Sequence, residues 1–308
     1  MTSAEFDIAI VGAGPAGFAC AYQLRNEALK IAIIDKSTFP RDKICGDALG
    51  ADVINQLQRM NPELSEGFKS FSGKLASHGV RFYSPDGASL QIDFKDSNGE
   101  AKGYISKRIE FDNFLINNIL NQDNLTEFLG LAVQDIIQYE DKVSIKIGQK
   151  CISTKMIVGA DGAQSIVNKK LAKIKLEKKH YCAGLRQYYE GISGFDADCH
   201  IELHFYKELL PGYFWIFPLE GGKANVGLGM LSSKVSEKKI DLKARLKHII
   251  ENHPNIKDRF HKAKPLEEVK GFGLPIGSKK RSISGDRFLL LGDAAYLIDP
   301  FTGEGIAN

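Results

Sequence analysis

Three glycine-rich segments stand far apart along the chain, and each combines a flexible backbone with groups that can bind phosphate or sugar hydroxyls. They are Gly12-Ala13-Gly14-Pro15-Ala16-Gly17, then Gly159-Ala160-Asp161-Gly162, and finally Gly292-Asp293 with Gly303-Glu304-Gly305. Glycine lets a phosphate approach the backbone, and a following helix N-terminus adds unpaired N–H groups and positive potential. These features favour the binding of a dinucleotide, and the neighbouring strands and helices must hold the three segments in position.

The first segment has the strand, turn and helix context that dinucleotide binding requires. It follows a strand-like run over 6–11 and opens an apolar stretch over 18–24, so that Gly12 permits the turn and Gly17 lets the helix pack closely. A second strand over 30–34 ends at Asp35, about 20 residues after the glycines, where a carboxylate bonds a ribose hydroxyl. This pattern alone leaves NAD, FAD and a structural glycine turn open.

The C-terminal residues favour FAD. The run over 287–293 predicts a buried strand leading into a turn, which places Asp293 at the carboxyl edge of a doubly wound sheet. There its carboxylate can accept hydrogen bonds from ribityl hydroxyls. Residues 299–306 predict a helix N-terminus aimed at the isoalloxazine, which would stabilise the anionic reduced ring. The alternative for Asp293 is a turn acid that caps a helix.

On these residues, with Arg108 before Phe111-Asp112 and with Ser165, the chain resembles the flavoprotein superfamily that includes p-hydroxybenzoate hydroxylase. The resemblance implies an α/β fold in which a Rossmann-like FAD-binding domain is interleaved with an antiparallel β-sheet substrate domain. It also implies a backbone contact from Val133 to adenine. The FAD-binding residues implied in this way are Gly12, Gly14, Pro15, Ala16, Gly17, Asp35, Lys36, Arg41, Cys45, Gly46, Arg108, Val133, Asp161, Gly292, Asp293, Gly303, Gly305 and Ile306.

Two further segments resemble the geranylgeranyl reductase family within that superfamily. Residues 39–47 are similar to its Pro-Arg-x-Lys-x-Cys-Gly stretch, which in the family lies along the flavin ring. Residues 213–218 and 227–229 are similar to the Tyr-x-Trp-x-Phe-Pro and Gly-x-Gly element that lines the isoprenoid pocket. The substrate-binding residues implied are Tyr213, Trp215, Phe217, Pro218, Gly227 and Gly229.

Strand geometry gives the second element a physical rationale. Alternate residues of a strand face one side, so Tyr213, Trp215 and Phe217 would form an aromatic wall. Gly227 and Gly229 would leave the neighbouring strand free of bulk, so that a lipid chain could lie close to its backbone. The same stripe is also compatible with an ordinary sheet core, and only the resemblance favours the pocket.

Cys45 is the candidate catalytic residue. A thiol beside a flavin could hold the substrate, tune the ring or supply a proton; alternatively, Cys45 is a small buried apolar residue. The five cysteines form no CxxC pair and no histidine spacing, which argues against a metal site and against a disulfide framework. A reducing, cytoplasmic location is therefore expected.

Composition favours a soluble enzyme. The 308 residues are 43% hydrophobic and 26% charged with a net charge of +3, a balance that implies no nucleic-acid partner. No apolar run approaches the roughly 18 residues of a spanning helix. The lysine-dense segment over 168–179 is compatible with peripheral contact with an acidic membrane, although charge runs are more often solvated.

The chain is predicted to divide into two interleaved domains. The FAD-binding domain comprises 1–74, 105–174 and 276–308, and the substrate domain comprises 75–104 and 175–275. The pattern predicts a helix from Arg108 through Leu120, a strand over 131–133, a hairpin arm over 139–147 and a helix over 241–250. Because Asn308 comes three residues after Gly305, inside the last predicted helix, we expect a fragment with weak FAD retention.

The predicted function is reduction of carbon–carbon double bonds in an isoprenoid or lipid substrate by hydride transfer from reduced FAD. NAD(P)H or another external reductant would supply the electrons. One alternative is a flavin-dependent monooxygenase or halogenase, because residues 212–215 partly resemble the halogenase Gly-Trp-x-Trp element, from which Tyr213 departs. Another is a truncated, noncatalytic flavin-binding protein. The sequence leaves the oligomeric state and the particular substrate open.

Overall fold

The computed structural model describes residues 4–307, so Asn308 and the fragment prediction that depends on it lie outside the described residues. The strands are β1 Ala4–Val11, β2 Ile31–Asp35, β3 Ala48–Leu49, β4 Leu75–Ser77, β5 Gly79–Tyr83, β6 Ser89–Asp93, β7 Gly103–Ile105, β8 Leu125–Leu129, β9 Val133–Gln138, β10 Val143–Ile147, β11 Lys150–Gly159, β12 Tyr181–Glu190, β13 Ile201–His204, β14 Gly212–Leu219, β15 Lys223–Leu231, β16 Lys264–Pro265, β17 Lys270–Pro275, β18 Ser284–Gly285 and β19 Phe288–Leu290. The α-helices are α1 Pro15–Gln23, α2 Ala51–Met60, α3 Pro62–Ser70, α4 Arg108–Asn117, α5 Ser232–Glu237 and α6 Leu242–Asn252.

A parallel sheet carries the glycine-rich segments. Its parallel strands run in the order β19-β11-β1-β2-β8, and the β9–β10 hairpin and β18 add antiparallel pairings. Side chains of α1 to α4 pack on one face, while the β9–β10 hairpin covers the other. Residues 31–34 are all buried as a result, because a parallel strand that is covered on both faces shows little alternation between buried and exposed residues.

A second, largely antiparallel sheet has the order β16-β12-β15-β14-β13-β5-β6, with β17 also paired to β12. Along β14, Phe214 and Ile216 pack with Leu246 and Ile249 of α6. Trp215, Phe217 and Leu219 face the opposite side, toward Ile105 and Tyr188. The predicted α/β architecture with a parallel and an antiparallel sheet is therefore confirmed.

A small sheet of order β3-β7-β4 lies where the two larger sheets meet. β3 directly follows the 45–47 turn, and Ile105 of β7 packs with Trp215 and Phe217 of the second sheet. The segment that carries Cys45 is therefore held between the glycine-rich edge and the aromatic strand.

Several predicted elements have different bounds in the structure. The helix from Arg108 ends at Asn117, short of Leu120, and of the predicted strand over 131–133 only Val133 is in a strand, as the first residue of β9. The parallel strand is β8, and the chain turns at Gly130 (φ +75°), where the Leu131 amide donates to the Asp35 carbonyl. Residues 139–142 form a turn rather than part of a hairpin arm.

The segment over 299–306, predicted as the entry to a helix, is a loop, and the first turn of that helix was predicted around Asn308, outside the described residues. The Asp299 amide donates to the Glu304 carbonyl, and the Gly303 amide donates to the Asp299 carbonyl. Gly303 has a φ of +73°, in the left-handed region that glycine adopts freely. These bonds close a tight loop.

Within residues 4–307, no helix is both long enough and apolar enough to cross a membrane. The division of the chain into two domains stays a prediction, although β5 and β6, from the 75–104 segment, do pair within the second sheet.

Candidate functional site

The glycine fingerprint forms a turn that tolerates no larger residue. Gly12 has a φ of +102°, and a Cβ there would lie 2.2 Å from the Ala160 carbonyl oxygen. A Cβ on Gly17 would lie 1.8 Å from the Gly12 carbonyl oxygen. α1 begins at Pro15, with Ala16 in its first turn, and no side chain among the described residues caps it at Gly14. The free amides of this turn fit a pyrophosphate.

Arginine side chains surround this turn. A Cβ on Gly14 would lie 3.4 Å from Arg41 Nη2, and Arg41 pairs with the buried Asp112 at 2.5 Å. Arg108 donates two hydrogen bonds to the same carboxylate, at 2.7 and 2.8 Å. Burial would lower the pKa of Arg108, but the charge of Asp112 and hydrogen bonds to Asp112 and Cys45 raise it overall. Arg108 therefore links the phosphate side of the site to the thiol.

Asp35, the last residue of β2, is hydrogen-bonded to the glycine turn. Its Oδ2 accepts a hydrogen bond from the Ala13 amide at 2.8 Å, and its Oδ1 accepts one from the Ser37 amide at 2.8 Å. Each carboxylate oxygen has a further lone pair that a ribose hydroxyl can use. Lys36 is exposed beside Asp35. Val133 follows the turn at 130–131, whose amides donate hydrogen bonds to the carbonyls of residues 37 and 35. The predicted adenosine-binding residues thus lie at one sheet edge.

The C-terminal glycine segment reaches the same edge. Asp293 pairs with Lys43 at 3.0 Å, directly after Gly292, and a Cβ on Gly305 would lie 3.1 Å from Asp293 Oδ1. Ile306 packs on the core beside α1 to α4. Lys43 lies in the 39–47 stretch, so the ion pair joins this stretch to the last of the glycine-rich segments.

Asp161 bonds to the protein backbone. Its Oδ2 accepts a hydrogen bond from the Ile166 amide at 2.6 Å, and burial raises the pKa of its carboxyl. Asp161 Oδ1 is buried without a partner among the described residues. The carboxylate therefore fixes the turn after β11, which abuts Gly12 through Ala160.

The predicted aromatic wall is present along β14. The rings of Tyr213, Trp215 and Phe217 follow one another at centroid distances of 6.1 and 6.0 Å. A Cβ on Gly46 would lie 2.9 Å from the Phe217 ring, so the turn at 45–47 lies directly on this wall. Beyond Tyr213 the row continues through Phe205 to the exposed Phe301.

Two details of the wall correct the sequence interpretation. A Cβ on Gly227 would lie 2.3 Å from the Trp215 ring, so this glycine makes room for the indole rather than for a chain on the backbone. Gly229 is more open, with the same ring 3.8 Å from its Cβ position. Pro218 is not brought to the wall, since its cross-strand partner Ala224 packs in the α6 core.

A buried polar network behind the wall was missed by sequence reasoning. Trp215 Nε1 donates to Asn225 Oδ1 at 2.9 Å, and Asn225 Nδ2 donates to the Cys45 carbonyl at 2.7 Å and to Asp47 Oδ2 at 2.8 Å. The Tyr188 hydroxyl also donates to Asp47 Oδ2, at 2.7 Å. Asn225 shares a strand face with Gly227 and Gly229, a spacing that could have identified it.

Asp47 is the one acid of this network, and it is fully buried. Burial raises its pKa to about 6, although hydrogen bonds from Tyr188 and Asn225 and the charges of Arg186 and Arg108 act in the opposite direction. The Asp47 carboxyl therefore binds its proton more tightly than an exposed aspartate does.

Comparisons with known proteins agree with this geometry. The family model described as the geranylgeranyl reductase catalytic domain matches residues 183–272, and the pyridine nucleotide-disulphide oxidoreductase model matches residues 6–167. The chain is 32% identical over 317 residues to digeranylgeranylglycerophospholipid reductase 2 of Methanococcoides burtonii, covering 99% of this chain and 72% of that protein. It is 30% identical over 310 residues to menaquinone reductase of Mycolicibacterium smegmatis, covering 97% of this chain and 72% of that protein.

Among solved structures, a geranylgeranyl bacteriochlorophyll reductase-like protein from Thermoplasma acidophilum superposes with a TM-score of 0.84 at 25% identity. The match covers 100% of this chain and 75% of that one. The parallel sheet, the second sheet and the turn between them are thus a shared arrangement.

Proposed function

Because the chain belongs to the geranylgeranyl reductase family of FAD-dependent oxidoreductases, we propose that it reduces carbon–carbon double bonds in the isoprenoid chain of a lipid. The observation that carries this proposal is the continuous aromatic row from Phe217 to Phe301, which touches the 45–47 turn at one end. An isoprenoid chain is long and apolar, and such a row offers it contact along its length.

The residues at the glycine-rich edge support FAD binding. The turn at Gly12 and Gly14 would receive the pyrophosphate, with Arg41 supplying positive charge beside it. Asp35 would take the ribose and Asp293 the ribityl chain, each through a carboxylate already oriented by hydrogen bonds or an ion pair. When bound, FAD supplies the hydride for the reaction.

The protein's own part in the reaction is positioning and exclusion of water. An isolated alkene has no carbonyl that a side chain could polarise, so close placement in an apolar slot carries much of the rate enhancement. The hydride saturates one alkene carbon, and the other needs a proton. Cys45, whose thiol is half-buried beside Arg108 and next to the wall, would supply this proton.

The proposed substrate carries a further chemical group at one end of its isoprenoid chain. The two relatives are named for menaquinone and for a digeranylgeranylglycerophospholipid, in which an isoprenoid chain is joined to a quinone ring or to a glycerophospholipid. The proposed electron donor is NAD(P)H or another external reductant, which would meet the flavin only transiently.

A basic face supports peripheral contact with anionic lipid. Exposed lysines of 173–179 lie beside the lysines of 234–239. Lys178 Nζ donates a hydrogen bond to the Ser236 hydroxyl at 2.9 Å, which joins the two segments. The 278–281 segment adjoins them through His180 and Ser278 at 2.8 Å. Leu176 is 53% exposed among these charges. Co-sedimentation with anionic but not with neutral vesicles, lost at high salt, is the expected result.

Product analysis tests the proposed activity. The FAD-loaded protein is incubated anaerobically with a chemical reductant and geranylgeranyl lipids that carry no quinone ring, and the products are analysed by mass spectrometry. The expected products gain two hydrogens for each double bond reduced. A product that gains oxygen or halogen only when air is admitted would support a monooxygenase or halogenase instead. An unchanged lipid in all cases would support a noncatalytic flavin-binding protein.

A further inference from the structure

We infer that Asp47 is a positioning residue that fixes the Cys45–Gly46 turn against the Trp215 wall. This inference rests on the proposed function, because it concerns the gap between the turn assigned to the flavin and the wall assigned to the isoprenoid chain. It gives a role to Asp47, Tyr188 and Asn225, which the assignments above place in contact with neither the cofactor nor the substrate.

One carboxylate oxygen of Asp47 is the hub of the contact. Oδ2 accepts from the Tyr188 hydroxyl on β12 and from Asn225 Nδ2 on β15, at 2.7 and 2.8 Å. Asn225 in turn holds the Cys45 carbonyl and the Trp215 indole. A single side chain thus connects the turn to three neighbouring strands of the second sheet.

The backbone of Asp47 supports the same role. Its φ is +70°, a left-handed conformation that costs a non-glycine residue about 1 kcal/mol and that asparagine and aspartate tolerate best. The Asp47 carbonyl accepts a hydrogen bond from the Ser106 amide at 3.0 Å, and Gly46 has no room for a side chain against Phe217. The turn therefore needs both an unusual backbone and an external restraint.

A second layer holds Tyr188 in place. The Arg186 guanidinium stacks over the Tyr188 ring at 4.0 Å, and it is itself paired with Asp42 at 2.6 Å and with Glu267. Asp42 lies in the same 39–47 stretch as Cys45. The two ends of the stretch are therefore both tied to β12, one through Asp42 and the other through Asp47.

Loss of the carboxylate would free the turn. The Tyr188 hydroxyl and Asn225 Nδ2 would lose a buried acceptor. The 45–47 turn would keep its bonds to Asn225, the Ser106 amide and Arg108, but it would lose its contact with Tyr188 on β12. A displacement of about 1 Å between reacting groups can lower a rate by roughly 10²-fold. The substrate and FAD would still bind, since neither the aromatic row nor the glycine fingerprint is altered.

Matched substitutions at position 47 separate the side chain from the backbone. Asp47→Gly adopts the left-handed backbone without strain but removes both hydrogen bonds. Asp47→Asn keeps an oxygen acceptor and tolerates the same backbone. We expect kcat for alkene reduction to fall at least about tenfold in Asp47→Gly with KM and FAD content nearly unchanged, and Asp47→Asn to recover most of it.

Trp215 provides a readout that does not need turnover, because it is the only tryptophan in the chain. With FAD bound, Asp47→Gly should shift its emission and increase its quenching by acrylamide, whereas Asp47→Asn should match the parent. If Asp47→Gly fails to fold, Tyr188→Phe, which removes one donor, should give a smaller change of the same kind in emission and kcat.

The inference is overturned if Asp47→Gly keeps the parent's kcat and Trp215 emission, or if Asp47→Asn is as defective as Asp47→Gly. If the parent reduces no isoprenoid, the proposed function fails, and the fluorescence comparison still tests whether Asp47 restrains the wall.

Discussion

At Gly12 and Gly17 the backbone leaves no space for a side chain, and this steric requirement makes the cofactor turn recognisable from sequence. Asp47 is different. Its partners Tyr188 and Asn225 stand 141 and 178 positions away, so no local pattern marks it. Residues whose role depends on their own backbone could be predicted, whereas residues whose role depends on distant partners could not.

Substitution of Gly17 by alanine should abolish FAD retention. The added Cβ would meet the Gly12 carbonyl oxygen at 1.8 Å, so that the turn and the start of α1 must move apart. The dissociation constant for FAD should rise by about tenfold or more, which corresponds to roughly 1.4 kcal/mol of binding free energy, and the ratio of visible flavin absorbance to protein absorbance should fall.

Gly222→Ala is the matched control. Gly222 has a left-handed φ of +69°, and among the described residues nothing lies within 4 Å of its Cβ position. This variant should lose about 1 kcal/mol of stability and keep its flavin. Equal flavin content in the two variants would contradict the assignment of the pyrophosphate turn.

Asp47→Asn should stabilise the protein in a pH-dependent way. The folded-state pKa of Asp47 is raised to about 6 from 3.8, so the folded protein binds this proton more tightly than the unfolded chain does. The contribution of this group to stability therefore falls as pH rises between about pH 4 and pH 6, by roughly 3 kcal/mol in total.

The asparagine carries no such charge. The difference in Tm between Asp47→Asn and the parent should therefore grow between about pH 4 and pH 6 and stay constant above that range. A difference that is independent of pH, or that shrinks as pH rises, would show that the carboxyl of Asp47 has no raised pKa.

Among the elements, the strands next to strong motifs were predicted well and the connections were not. β1, β2, β14 and β15 lie where the apolar patterns indicate, because sheet burial imposes those patterns. The error at 131–133 arose because β8 is only partly buried and alternates weakly, while Gly130 turns the chain just after it. At 299–306 the glycines form a loop closed by Asp299, which glycine content alone does not distinguish from a helix start.

The second sheet depends on a buried charge cluster on β13. Glu202 accepts a bidentate pair from Arg259 at 2.6 and 2.9 Å and a bond from His204 at 2.9 Å. Burial would raise the pKa of Glu202, but these hydrogen bonds and the charge of Arg259 lower it overall. The cluster ties β13 to the segment that follows α6.

Arg259→Ala should therefore destabilise the protein by about 3–5 kcal/mol, because it leaves a buried carboxylate without its charged partner. Denaturant unfolding monitored by circular dichroism measures the effect. Lys247→Ala is the control, since Lys247 pairs with Glu251 at 3.8 Å on the exposed face of α6 and should contribute less than about 1 kcal/mol. Similar losses in both variants would mean that the buried pair contributes no more than an exposed one.

At the scale of the whole molecule, two sheets with separate cores meet at one short turn. The glycine-rich segments converge because parallel strands end at a common edge, and that convergence could be expected from their order along the chain. The contact of the 45–47 turn with β14 could not, because it depends on how one sheet packs on another. This contact is what would bring a reduced cofactor and an apolar chain together.

Anaerobic reoxidation of the bound flavin tests this account most directly. FAD-loaded protein is reduced under anaerobic conditions, and a geranylgeranyl lipid that carries no quinone ring is then added while the visible flavin absorbance is followed. The account predicts that the oxidised flavin spectrum returns as the double bonds are reduced, and that the saturated analogue has no effect. Reduced flavin that persists with every unsaturated chain and is reoxidised only when oxygen is admitted would contradict it.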